Sequence, residues 1–152
     1  MYSKILVPLD GGTTSERALR EAVSLAKLTR GRLALLHVVD DYPMMVEMSA
    51  AIDFDAVRRQ LRTQGEEIVE KGRVMAAAEG VEADTSVTDI TQGRVSDAIL
   101  KAVDSTHSEL VVMGTHGRRG FNHLVMGSDA EAVVRQCKVP VMVVRLPQDK
   151  QK

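Results

Sequence analysis

Two stretches of the chain hold residue types suited to gripping a polar, negatively charged ligand. The first is Pro8-Leu9-Asp10, which closes a short apolar run and leads into Gly11-Gly12. A carboxylate there can accept hydrogen bonds from an amino group or a ribose hydroxyl. It can equally end the run and support the turn behind it. The second is Gly114-Thr115-His116-Gly117, with Gly127-Ser128 after nine further residues. Glycines allow a backbone to approach a ligand closely and to aim N–H groups at it. Gly127-Ser128 also stands where a helix should open. The first N–H groups of a helix have no internal partner, and its dipole favours an anion there. With the Ser128 hydroxyl these are the parts of a phosphate cradle. A plain turn with a capping serine satisfies the same spacing.

Other chemistries lack their residues. His116, between the cradle glycines, can serve as a base or simply shape its loop. His37 reads as a hydrogen-bonded core residue. His107 and His123 have no metal-ligand spacing with acids or cysteines, and Cys137 is the single cysteine. The Gly-x4-Gly-Lys-Ser/Thr loop of fast NTPases is absent. A phosphorylated receiver needs an acidic neighbour beside Asp10 and a lysine after its last strand, and its phosphoacceptor sits on a different strand end. No catalytic residue and no metal-ligating set is therefore assigned.

These groups need a frame, and the apolar pattern supplies one. Ile5-Leu6-Val7-Pro8-Leu9 is nearly continuous, as a strand buried on both faces should be. Ala18, Leu19, Ala22, Val23, Leu25 and Ala26 form a helical stripe that Gly31 should stop. A second buried strand covers residues 33–39, and residues 40–54 read as a loop containing Pro43, Met44, Met45 and Met48. Val57, Leu61, Gly65, Ile68, Gly72 and Met75 mark one face of a long helix that Gly80 ends. Its two glycines cost about 1 kcal/mol each in propensity, and close approach to a sheet would repay that. Residues 81–87 alternate with period two, the pattern of a half-exposed edge strand. Val95, Ala98, Ile99 and Ala102 give a third helix, and residues 110–113 a third continuous apolar strand. A final helix turns Ala130, Val133, Val134 and Cys137 inward before Val139-Pro140-Val141-Met142-Val143-Val144. Strand and helix alternate to the end, which predicts an α/β fold with helices on both faces of a parallel sheet.

The chain has 152 residues, 44% hydrophobic and 27% charged, enough for one domain with its own core. Residues 1–146 form that domain and 147–152 a frayed tail. Net charge is −1, from 20 basic and 21 acidic residues, and aromatics make up 3%; neither favours a nucleic-acid partner. No apolar stretch reaches bilayer length, the opening run is too short for a signal peptide, and the lone cysteine suits a reducing compartment, so no membrane is involved and the expected location is cytoplasmic.

Gly114-x2-Gly117-x9-Gly127-Ser128 matches the nucleotide-binding signature of universal stress proteins. Lys4-Ile5-Leu6-Val7-Pro8-Leu9-Asp10 and Leu36-His37-Val38-Val39 resemble the family's first two strands. The segments from Gly127 through Arg135 and from Val139 through Val144 resemble its closing helix and strand. The resemblance covers nearly the whole chain. It implies a single doubly wound domain, adenine nucleotide alpha hydrolase-like, whose five-stranded parallel sheet has the order 3-2-1-4-5. It implies an adenine nucleotide, ATP or its ADP and AMP relatives with Mg²⁺ on the phosphates, across the carboxyl ends of strands 1, 2 and 4. Pro8, Leu9, Asp10 and the Val38 backbone would serve the adenine end, and Met113 and Gly114 would run along adenine and ribose. His116, Gly117, Gly127, Ser128 and Asp129 would stand at the phosphates.

Asp129 departs from the small or apolar residue usual in the family. Its carboxylate suits a helix N-terminus, yet it stands in the field a γ-phosphate would occupy, with Arg118 and Arg119 as possible offsets. The last strand is apolar on both faces and lies at an edge, where only Pro140 interrupts it. Such an edge calls for a cover, and a second copy of the chain would supply it. The function implied is a nucleotide-binding regulatory module of the stress response with an unknown protein partner. The alternative is a slow ATP hydrolase or nucleotide-processing enzyme on the same frame.

Overall fold

The computed structural model describes residues 1–41, 53–116 and 125–147. The expectations placed on Pro43, Met44, Met45, Met48, Gly117, Arg118, Arg119, His123 and residues 148–152 lie outside these.

Strands and helices alternate as β1 (Lys4–Pro8), α1 (Thr13–Thr29), β2 (Arg32–Asp40), α2 (Phe54–Ala78), β3 (Ala83–Ile90), α3 (Val95–Thr106), β4 (Leu110–Gly114), α4 (Ser128–Gln136) and β5 (Val141–Val144). All strand pairs are parallel and the order is β3-β2-β1-β4-β5. This is the expected doubly wound α/β domain.

Period-two alternation deals the strand side chains to two cores. Ile5, Val7, Leu33, Leu35, Leu110 and Val112 meet Ala18, Leu19, Ala22 and Val23 of α1 and Val69 and Ala76 of α2. Leu6, Ala34, Leu36, Val111 and Met113 meet Ile99 and Val103 of α3 and Ala130 and Val133 of α4. With both faces covered, the inner strands are apolar on both faces through their middles, at Ile5–Val7, residues 33–36 and residues 110–113.

The two glycines of α2 show why the helix tolerates them. A Cβ on Gly72 would lie 2.9 Å from Leu9 Cδ1 and 3.1 Å from Leu35 Cδ1; one on Gly65 would lie 2.5 Å from His37 Cδ2. The helix backbone thus rests on the sheet's side chains. The buried line runs Gly65, Val69, Gly72, Ala76, so it drifts away from the expected Ile68 and Met75, which are half-buried, as are Val57 and Leu61.

Several boundaries differ from the sequence reading. Arg30, not Gly31, takes the left-handed turn that ends α1, at φ 54°. Gly31 is required for room instead, since its Cβ would stand 2.5 Å from the Tyr2 carbonyl oxygen. The edge strand is Ala83–Ile90 rather than 81–87, because Val81 still belongs to the turn after α2, donating its N–H to the Ala76 carbonyl at 3.0 Å. β5 begins at Val141 rather than Val139, although the Pro140 carbonyl already accepts from Val111 N–H at 3.0 Å. Val134 is 43% exposed rather than inward. It lies one residue round α4 from the Ala130–Val133 line, and Ala132 is buried in its place.

Candidate functional site

The reversal of winding lies between β1 and β4, the crevice where α/β sheets receive ligands. The two strand ends meet there. Gly114 ends β4 against the first turn of α1, so closely that a Cβ would lie 2.8 Å from Thr14 Cγ2. Past Gly114, Thr115 is buried at 3% exposure. Its N–H donates to the Val144 carbonyl at 2.9 Å, and its carbonyl accepts from Gly127 N–H at 2.8 Å. That last bond draws the start of α4 onto the end of β4. A Cβ on Gly127 would sit 3.2 Å from the Thr115 oxygen.

Gly127 is the residue that precedes the helix, and Ser128 is its first member, with no side-chain cap. The alternative of a capping serine is therefore not what is built. The first intrahelical bond is Glu131 N–H to the Gly127 carbonyl, at 2.9 Å. The N–H groups of Ser128, Asp129 and Ala130 precede it and have no partner inside the helix. The Ser128 side chain is exposed beside them.

Asp10 fulfils the bland expectation with one oxygen. Its Oδ1 accepts from Gly12 N–H and from the Ser15 hydroxyl, both at 2.8 Å, and so braces the turn into α1. Its Oδ2 has no protein partner among the described residues. Leu9 turns its side chain into the core. Its N–H donates to the Leu36 carbonyl at 2.8 Å, and its carbonyl accepts from His37 Nδ1–H at 2.7 Å. His37 makes the hydrogen bond expected of it but is half-buried rather than a core residue; it positions the residue before Asp10, a task no local pattern announced. Pro8 is half-buried and lies in register with Leu36.

β2 outruns β1. Pro8 pairs with Leu36, while β2 continues to Asp40. The Leu36 carbonyl faces β1, so by the strand's period of two the N–H and C=O of Val38 face the same way. They emerge beyond the end of β1, above Asp10. Met113, 6% exposed, packs its side chain into the core on the α3 and α4 face.

His116 accompanies the buried Thr115, Nδ1 to Oγ1 at 2.9 Å. Its Nε2 is buried with no partner among the described residues. Asp129 accepts the backbone N–H of Ser96 on its Oδ1 at 3.1 Å. It thereby serves the second residue of α3 while standing in the first turn of α4. This link joins residues far apart in sequence and left no signal in the reading of the chain.

A cavity of about 440 Å³ lies on the other side of the α1 start, between α1 and α2. Leu9, Gly11, Glu16, Ile68, Lys71 and Met75 are among its walls; Gly114, Gly127 and Ser128 are not. Glu16 at its rim is held below the ordinary carboxylate value, first by its hydrogen bond from Arg20 and then, against a small cost of burial, by the nearby charge of Lys71.

The model of the universal stress protein family matches residues 1–145. The chain belongs to the universal stress protein family. A universal stress protein of Methanocaldococcus jannaschii is 31% identical over 147 residues, spanning 97% of this chain and 84% of the relative. One of Bacillus subtilis is 30% identical over 151 residues, spanning 95% and 100%. The crystal structure of a family protein from Burkholderia pseudomallei superposes with a TM-score of 0.78 at 26% identity, covering 95% of this chain and 97% of that one. The sheet order and helix placement described above are therefore the family's fold.

Proposed function

We propose that this universal stress protein binds an adenine nucleotide across the carboxyl ends of β1, β2 and β4 and acts as a regulatory module in the stress response. The observation that carries the reading is the junction of the two strand ends. Thr14 touches Gly114, and Thr115 holds Gly127. Helix N–H groups without an intrahelical partner would then share one crevice with the Asp10 Oδ2 and Val38 backbone groups that lack a partner among the described residues. The adenine end would take its hydrogen bonds from Asp10 Oδ2 and Val38, beside Pro8. The sugar would pass Met113 and Gly114, and the phosphates would settle on the α4 start and the Ser128 hydroxyl, with Gly117 completing the loop. Mg²⁺ enters only as the phosphates' own counter-ion. Family proteins from Arabidopsis thaliana and Archaeoglobus fulgidus have been solved with AMP and dAMP. At 18% and 19% identity their likeness carries the shared fold, and the nucleotide reading rests on this chain's own residues.

Association belongs to the same proposal. β5 is an edge strand with Met142 40% exposed and Val134 of α4 43% exposed. A second copy covering this edge gives a two-fold dimer.

The test is mass spectrometry of nucleotide retained through purification, with calorimetry of ATP, ADP and AMP on the wild type and on Gly127→Val. Binding by the wild type that Gly127→Val abolishes is the expected result. A wild type that binds none of the three refutes the proposal.

A further inference from the structure

We infer that Asp129 sets which nucleotide this chain prefers, by fixing a negative charge at the phosphate end that disfavours the triphosphate and favours the monophosphate. The inference rests on the nucleotide site proposed above and names its selectivity. Asp129 is the second residue of α4, between the N–H groups of Ser128 and Ala130 that would receive phosphate oxygens. A free aspartate could swing into solvent when an anion arrives. This one is half-buried and tied through Oδ1 to Ser96 N–H at 3.1 Å, so the start of a neighbouring helix holds it in place. The other acid of the same turn, Glu131, is exposed and has its charge answered by Arg135 at 2.7 Å. Asp129 has no cationic partner among the described residues.

The consequence scales with ligand charge. ATP carries about two more negative charges than AMP, placed at the end nearest α4. A fixed unit charge a few ångströms from them, in a half-solvated site, shifts affinity by roughly tenfold or more. The adenine and ribose contacts are common to both ligands and cancel from the ratio. Mg²⁺ neutralises much of the added charge, so it should narrow the gap.

Calorimetry of AMP and ATP, in EDTA and then in Mg²⁺, tests this on the wild type, Asp129→Asn and Glu131→Gln. Asparagine keeps an oxygen for Ser96 N–H and removes the charge. In EDTA the wild type should bind AMP more tightly than ATP, with a smaller gap in Mg²⁺. Asp129→Asn should tighten ATP about tenfold and AMP less than about threefold. Glu131→Gln should leave the ratio unchanged. A wild type that favours ATP in EDTA overturns the inference, and that measurement needs no variant to fold. An Asp129→Asn protein with an unaltered ratio, or equal effects of the two substitutions, overturns it as well while leaving the nucleotide site standing. Binding of neither ligand removes the site and the inference together.

Discussion

Gly65→Ala tests the packing that holds the first strand end in place. In an ordinary helix the change would stabilise by about 1 kcal/mol. Here the new methyl would stand 2.5 Å from His37 Cδ2 and 3.2 Å from Val87 Cγ1. The ring must move, and its hydrogen bond to the Leu9 carbonyl at 2.7 Å must lengthen or break. Overpacking of this kind costs about 1–3 kcal/mol, and the lost hydrogen bond about 1 kcal/mol more. Against the propensity gain, the net effect should be a loss of about 1–3 kcal/mol. The sign should reverse once the ring is gone. In a His37→Ala background, Gly65→Ala should stabilise by up to about 1 kcal/mol, giving a coupling energy of roughly 1–4 kcal/mol. Urea unfolding of the four proteins measures this, provided the m-values agree. If Gly65→Ala stabilises the wild type, or destabilises equally with and without His37, the close contact is not what requires glycine.

Arg30→Gly should stabilise by about 1 kcal/mol, because Arg30 holds a left-handed φ of 54° that costs a side-chain-bearing residue about 1–2 kcal/mol; an unchanged urea midpoint would contradict this. Charged residues at Val141 and Val143 should yield monomers in light scattering, and a dimer that persists would place the contact elsewhere. The Ser3 hydroxyl and N–H on Glu109, at 2.6 and 3.0 Å, hold that carboxyl below its ordinary value of 4.5. A depressed folded value means that this contribution is present above the ordinary value and lost as pH falls through the lower one. Ser3→Ala should therefore lower the urea midpoint at about pH 6, and the difference should shrink as pH falls below the ordinary carboxylate value; a difference that stays undiminished in acid would reject the link.

What could be read in the sequence was what repeats along it. Ile5 to Val7 and Leu110 to Met113 are apolar at every position because both sheet faces are covered, and that alone indicated inner strands. The glycines of α2 announced a close approach without naming the partner. Asp10 and Gly114 stood out as a carboxylate and a glycine closing apolar runs, and Gly127 as a glycine just ahead of a helical stripe. Contacts between distant segments were silent. His37 on the Leu9 carbonyl, Thr14 against Gly114, and Asp129 on Ser96 depend on where whole elements pack, and nothing in the flanking residues encodes them. Val134 misled for a related reason: helical spacing places it near the apolar line of α4, and only the position of that helix on the sheet decides what is covered.

The two rims of the sheet are unlike. β3 carries Asp84, paired with Lys4 at 3.3 Å and Arg32 at 2.9 Å, and Asp89, paired with Arg62, whereas β5 reads Val-Met-Val-Val. A charged rim resists strand addition, and an apolar one invites it. Lateral growth is thus favoured in a single direction, and a second copy joining at the apolar rim would leave only charged rims facing outward. In such a pair, stacking into ribbons or fibres would have no free end from which to continue.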